Sequence, residues 1–173
     1  GFGEVLAIDG KALESYARPR RAESEKPYDG RRDIDANFGV KTYKGKNKDG
    51  SVWEKTMSWF GYKLHLIVDA NYELPVAFRV TQASRSEIKE ARTLVDEMAL
   101  RLPEIVDRCM YLTGDKGYDD TKMTTKLWDE YRIKPVIDIR NAWRDGEETK
   151  LVTGRENVVY DYKGTVYCYS PEN

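Results

Sequence analysis

Two aspartates in this chain each close a short apolar run. Val5-Leu6-Ala7-Ile8 leads into Asp9-Gly10-Lys11, and Cys109-Met110-Tyr111-Leu112-Thr113-Gly114 leads into Asp115. An ionised carboxylate at the margin of a core persists when a metal ion, a cation or a set of donors offsets its desolvation. For Asp9 alone, the simpler alternative is a strand followed by a turn that needs Asp-Gly. If the two runs are parallel neighbouring strands, their C-terminal ends share one sheet edge and Asp9 faces Asp115. Two carboxylates forced together cannot both ionise cheaply without a cation between them. Hard oxygen ligands with water completing the shell suit Mg2+ or Mn2+. Such ions polarise a phosphate, lower the pKa of a bound water or hydroxyl, and hold attacking and leaving oxygens in line.

The elements that must position these acids follow from the patterning. After the first strand, residues 14–58 are poor in aliphatic side chains and show no sustained helical or strand period. They carry eleven Lys or Arg against eight acids, which fits either a solvated insertion or an arm contacting a phosphate backbone. From Met57 to Ala70, Tyr62, Leu64, Leu66 and Val68 alternate with Lys63, His65, Ile67 and Asp69, which is a strand. His65, the only histidine, falls with Lys63 and Asp69 on the more polar face, as expected of a hydrogen-bonded structural residue. Asn71-Tyr72-Glu73 is a turn, and Leu74 to Thr81 returns as the hairpin partner.

Ser84 with Glu87 reads as a capping box before a helix that ends at Pro103. Its apolar stripe, Ile88, Ala91, Val95, Met98 and Leu102, suits a helix laid on a sheet. A second helix is expected from Thr121 to Tyr131 and a fifth strand from Pro135 to Ile139. Val158 to Tyr169 reads as a hairpin about Lys163-Gly164, the start of an inserted β segment. A hairpin and a crossover helix return the Asp115 strand beside the first, parallel to it by right-handed crossover. The expected fold is α/β, a mixed sheet with flanking helices, over residues 1–145, with the β segment in 146–173.

Composition sets outer bounds. The 173 residues allow one domain with a proper core, and a net charge of −1 gives no global basic excess, so a polyanion would have to be met by a local patch. Cys109 and Cys168 show neither a pairing pattern nor metal-type spacing, which suits a reducing cytosol. No apolar run approaches the roughly 18 residues of a membrane span, and no signal peptide is visible. The chain lacks an initiator Met and stops just after an expected strand; the expectation is a segment of something longer.

Four motifs in order carry a family resemblance: Ala7-Ile8-Asp9-Gly10-Lys11, Gly61-Tyr62-Lys63-Leu64-His65, the return from Pro75-Val76-Ala77 to Thr81-Gln82-Ala83, and Gly114-Asp115-Lys116-Gly117-Tyr118. Over about residues 4–145 the set resembles the catalytic domain of bacterial insertion-sequence transposases of the DDE type. The resemblance implies a ribonuclease-H-like fold, with Asp9 and Asp115 as the first two acids of a triad binding two divalent metals, Mg2+ or Mn2+. It implies nicking at transposon ends and attack of the freed 3′ hydroxyl on target DNA, in the bacterial cytoplasm, by a protein expected to be a homodimer. The third acid, a Glu on a later helix, is not recognisable. None of Glu147, Glu148, Glu156 and Glu172 sits in a convincing helix, so this segment is expected to be inactive alone.

Neighbouring residues have plainer readings. Tyr118 is expected to pack beneath the acids, and Lys116 to be a surface lysine or a phosphate contact. Asp119 and Asp120 are expected to cap the next helix. Asp69 and Asp138, also on or at the ends of strands, could be mistaken for ligands. Two other functions compete. Asp9-Gly10 and Gly114-Asp115 superficially resemble haloacid-dehalogenase-like phosphatases, but Ala7 stands where that chemistry needs a nucleophilic aspartate. The other is an inactive or repurposed transposase domain that only binds DNA.

Overall fold

The computed structural model of the protein describes residues 1–17, 19 and 33–170. Strands β1 (Val5–Glu14), β2 (Asn37–Lys46), β3 (Val52–Asp69) and β4 (Pro75–Gln82) precede helices α1 (Glu87–Arg101) and α2 (Pro103–Arg108). Then come β5 (Tyr111–Gly114), a 3-10 turn (Lys116–Tyr118), α3 (Thr121–Asp129) and β6 (Lys134–Ile137). Strands β7 (Thr149–Leu151), β8 (Val158–Asp161) and β9 (Val166–Cys168) follow.

The main sheet is mixed, in the order β2-β3-β1-β5-β6, with β4 also paired to β3. β1 runs antiparallel to β3 and parallel to β5, and β5 runs parallel to β6. The expected parallel neighbours are therefore found. Strands β7, β8 and β9 form a separate antiparallel sheet.

The core lies between one face of the main sheet and the helices. Leu6, Ile8, Ile67 and Leu112 meet Ala91, Leu94, Val95 and Met98 of α1 and Met123 and Leu127 of α3. Leu6, Ile67 and Leu112 are wholly inaccessible, and burial of each such side chain is worth roughly 1.5–3 kcal/mol. Lys63, His65, Ile67 and Asp69 occupy this same buried face. The more polar side of the strand is thus the covered one, and α1 carries the acids that make this tolerable. Glu90, nearly buried, accepts from Arg79 at 2.8 Å and from Arg85 at 2.9 Å.

Four expectations need correction. Residues 37–46 and 52–60 are not irregular: β2 pairs with β3 from Asn37↔Gly61 out to Lys46↔Val52. β1 pairs with β3 only as far as Gly61, and β4 only as far as Tyr62, so residues 52–60 stand clear as a two-stranded ribbon about 30 Å long at ~3.3 Å per residue. The clustered cations from Arg18 to Arg32 lie outside the described residues, Pro19 apart. Second, β1 runs on through Asp9-Gly10 to Glu14 without turning. Third, α1 is capped at Ser86 rather than Ser84. Ser84 instead receives the Asn37 amide at 2.8 Å and gives its own N–H to Asn37 Oδ1 at 2.9 Å, tying β2 to the loop before α1. Fourth, Pro103 begins α2, a position where its missing N–H costs nothing, and Cys109 caps that helix instead of entering β5.

At the root of the ribbon, Gly61 has φ +150°, and an added Cβ would lie 2.2 Å from the Leu13 carbonyl oxygen. Only glycine lets β1 and β3 meet there.

Candidate active site

The β1–β5 pairing runs Val5↔Tyr111, Leu6↔Leu112, Ala7↔Thr113 and Ile8↔Gly114. The next residue on each strand is an aspartate. Asp115 keeps an extended backbone, φ −71° and ψ 170°, so it continues the line of β5 past its last paired residue. Asp9 lies mid-strand in β1, where it pairs with Leu66 of β3. The two acids thus stand on adjacent strands, where the parallel pairing ends, and both are exposed. Neighbouring strands are about 4.8 Å apart.

One oxygen of each is held by local backbone. Asp9 Oδ1 accepts from the Gly10 N–H at 2.7 Å, and Asp115 Oδ1 accepts from the Gly117 N–H at 2.7 Å. The Asp115 bond caps the 3-10 turn and fixes that carboxylate in direction. Among the described residues the second oxygen of each acid has no hydrogen-bond partner, which leaves an exposed pair of hard donors. That set fits a divalent cation of the Mg2+ or Mn2+ type, though among the described residues no cluster of three or more acids, histidines or cysteines suited to a metal is found.

Tyr118 lies beneath. It is 2 % exposed, and an added Cβ on Gly10 would come within 3.3 Å of its hydroxyl and 3.5 Å of the Glu87 carboxyl carbon. Burial pushes the Tyr118 phenol well above its ordinary range, helped by the charges of Glu87, Asp9 and Asp115. Among the described residues its hydroxyl has no hydrogen-bond partner. A phenol so placed stays protonated and serves as the floor of the site.

Two residues escaped sequence reading. Glu87, taken there as half of a capping box, reaches from the first turn of α1 towards Gly10 and Tyr118 and meets Lys63 Nζ at 3.4 Å. Because Gly10 and Asp9 point to opposite faces of β1, Glu87 lies across the sheet from Asp9 and is not its partner acid. Arg140 gives its Nε–H to the Lys116 carbonyl at 2.5 Å and another guanidinium N–H to the Gly117 carbonyl, while its own N–H reaches Asp119 Oδ2 at 2.8 Å. It clamps the turn that fixes Asp115. No linear pattern marks it, because its partners lie 21 to 24 residues away.

The remaining acids and His65 have structural partners. Asp69 is inaccessible and accepts from the N–H groups of Gly3 at 2.5 Å and of Asn71 and Tyr72 at 2.9 Å; burial works against its charge, but these donors prevail and lower its pKa. Asp138 receives Lys163 Nζ at 3.0 Å, which lowers its pKa. Asp120 caps α3 through the Met123 N–H at 3.0 Å, as expected, whereas Asp119 serves Arg140 instead. His65 is buried, with Nε2 3.0 Å from Thr81 Oγ1, and burial foremost lowers its pKa. Lys116 is exposed beside Asp115. Glu147, Glu148 and Glu156 lie outside the helices, and Glu172 is not among the described residues.

A mixed sheet that carries two aspartates side by side where parallel pairing ends defines a class of protein: an α/β domain built to present paired carboxylates. The family described as Transposase DDE domain matches residues 1–166, and the chain belongs to that family. Its members are enzymes of DNA transposition that cleave and join DNA, generally with divalent metal ions. No curated protein and no solved structure matches the chain. Among the described residues no helix is long and apolar enough to cross a membrane.

Proposed function

We propose that Asp9 and Asp115 are the first two acids of a transposase catalytic site on a ribonuclease-H-like sheet, cleaving DNA strands and transferring the freed 3′ ends by phosphoryl transfer. The observation that carries the reading is the register: Ile8 opposite Gly114, with an aspartate next on each strand. When bound, Mg2+ or Mn2+ would polarise the scissile phosphate and make a hydroxyl nucleophilic at neutral pH. The chain's own part is positional. Backbone N–H groups hold one oxygen of each carboxylate and leave the other for a cation. Arg140 fixes the turn behind Asp115, and Tyr118 closes the space beneath without a charge that competes for metal.

The chemistry needs a third carboxylate, which the described residues do not bring to this pair. Residues 1–173 by themselves are therefore expected not to cleave DNA. The proposed setting is a homodimer acting on transposon ends and target DNA in the bacterial cytoplasm.

The test is strand nicking at transposon ends by the full-length transposase in Mg2+. Asp9→Asn and Asp115→Asn are each expected to abolish nicking and to leave DNA binding largely intact. Retained nicking in either variant overturns the assignment. A decayed, binding-only domain would show no nicking even with both acids in place.

A further inference from the structure

The two faces of the β2–β3 ribbon differ in chemistry. One face carries Phe38 opposite Phe60, Val40 opposite Ser58, Thr42 opposite Thr56 and Lys44 opposite Glu54. On this face Lys44 Nζ and Glu54 pair at 2.7 Å. The other face pairs Gly39 with Trp59, Lys41 with Met57, Tyr43 with Lys55 and Gly45 with Trp53. This second face contains no acid. The other carboxylate of the ribbon, Asp49, is engaged in the tip turn by the Ser51 N–H and hydroxyl.

Both indoles of the second face lie across a glycine of the opposite strand. A Cβ on Gly39 would fall 2.5 Å from Trp59 Cζ2, and one on Gly45 would fall 2.6 Å from Trp53 Cε2. Each glycine lets a ring settle onto backbone, with one π-face covered. Trp53 and Tyr43 are still 42 % exposed and Met57 50 %, and Lys41 Nζ stands 5.8 Å from the Tyr43 ring centre. Trp59 is held by its N–H on the Tyr62 carbonyl at 2.9 Å.

We propose that this face of the ribbon binds unpaired DNA, with its rings stacking on exposed bases and Lys41 and Lys55 meeting the backbone phosphates. Open aromatic faces bracketed by cations without carboxylates are the chemistry that single-stranded nucleic acid requires. A ribbon reading a duplex groove would instead need several side chains that hydrogen-bond to base edges, and this face offers only the Tyr43 hydroxyl, the Trp53 indole N–H and two lysines. The ribbon springs from the end of β1, from Gly61 opposite Glu14. It goes beyond the strand-cleavage reading and does not depend on it, because stacking requires neither metal nor the aspartates.

The experiment measures binding of a labelled 20-nucleotide oligothymidylate and of a matched duplex by anisotropy, with EDTA present. Trp53→Ala is expected to weaken single-strand binding about five- to 150-fold, and Trp53→Phe to restore most of it. Lys41→Gln with Lys55→Gln is expected to reduce the slope of log affinity against log salt by about 1.4. Asp9→Asn with Asp115→Asn should leave both readings unchanged, so that failure of the metal site and failure of the ribbon site are told apart. Unchanged affinity in Trp53→Ala with an unchanged slope in the lysine pair overturns the proposal. So does a dimer that Trp53→Ala splits in sedimentation while oligothymidylate binding persists, which would make this face a contact between copies.

Discussion

Ile8 of β1 lies opposite Gly114 of β5 in a parallel pairing, and each is followed by an aspartate, so Asp9 and Asp115 are neighbours across the sheet although 106 residues separate them in the chain. Sheet register therefore sets the geometry of the proposed metal site, which leads to predictions about ligand chemistry, about the ribbon and about the core beneath.

Ligand identity should be readable by metal exchange. Asp9→Cys in the full-length transposase replaces a hard oxygen with a soft sulfur, so nicking in Mg2+ should fall about a thousandfold or more. Mn2+, which tolerates sulfur better, should recover part of it. Equal loss in both metals would place Asp9 outside the metal shell.

The Arg140 clamp acts through Asp115. Arg140→Ala should lower the rate of nicking about ten- to 100-fold, the range for residues that orient ligands, with DNA affinity unchanged. If affinity falls and the rate at saturating DNA does not, Arg140 is a DNA contact and not a positioning residue.

Gly61→Ala forces a Cβ onto the Leu13 carbonyl oxygen at a φ that side chains rarely adopt. We expect a loss of about 2–4 kcal/mol in urea unfolding. Gly50→Ala, at φ +85° in the ribbon tip with nothing within 4 Å, should cost only about 1 kcal/mol. Similar losses at the two sites would mean that the junction has room to shift.

Glu90 links pH to stability. Burial alone would raise its pKa, but Arg79 and Arg85 outweigh burial and hold it below the ordinary 4.5. A depressed carboxyl pKa contributes stability that is present above the unfolded value and lost as pH falls through the folded one. Thermal midpoints should therefore drop below about pH 4.5. Glu90→Gln should lower stability at pH 7 and flatten that acid limb, and an identical limb in the variant would assign it to other carboxylates such as Asp69.

Much of this was legible in the chain because apolar runs ending in acids, and a helix of period 3.6, are local signals. β1, β5, α1 and α3 and their parallel arrangement follow from such signals. The ribbon was hidden because its logic is cross-strand. Gly39 and Gly45 look like strand breakers in a linear window, and only the facing Trp59 and Trp53 give them a reason. Glu87 and Arg140 were hidden for a related cause, since an acid in a first helical turn looks like a dipole partner and a lone arginine looks like surface. The burial of the polar face of β3 was not legible because its partners are distant in sequence: Glu87 of α1 for Lys63, Thr81 of β4 for His65 and Gly3 at the chain start for Asp69.

β3 is one unbroken strand of 18 residues, its first half in the ribbon and its second half beside Asp9. Side chains alternate with a period of two, so the two halves share a single phase. One residue added beyond Gly61 in each ribbon strand would turn every ribbon side chain outboard of it to the opposite side and leave Asp9 and Asp115 where they are. The parity of the ribbon's length, rather than its composition, thus decides which of its faces is presented on the same side as the acids.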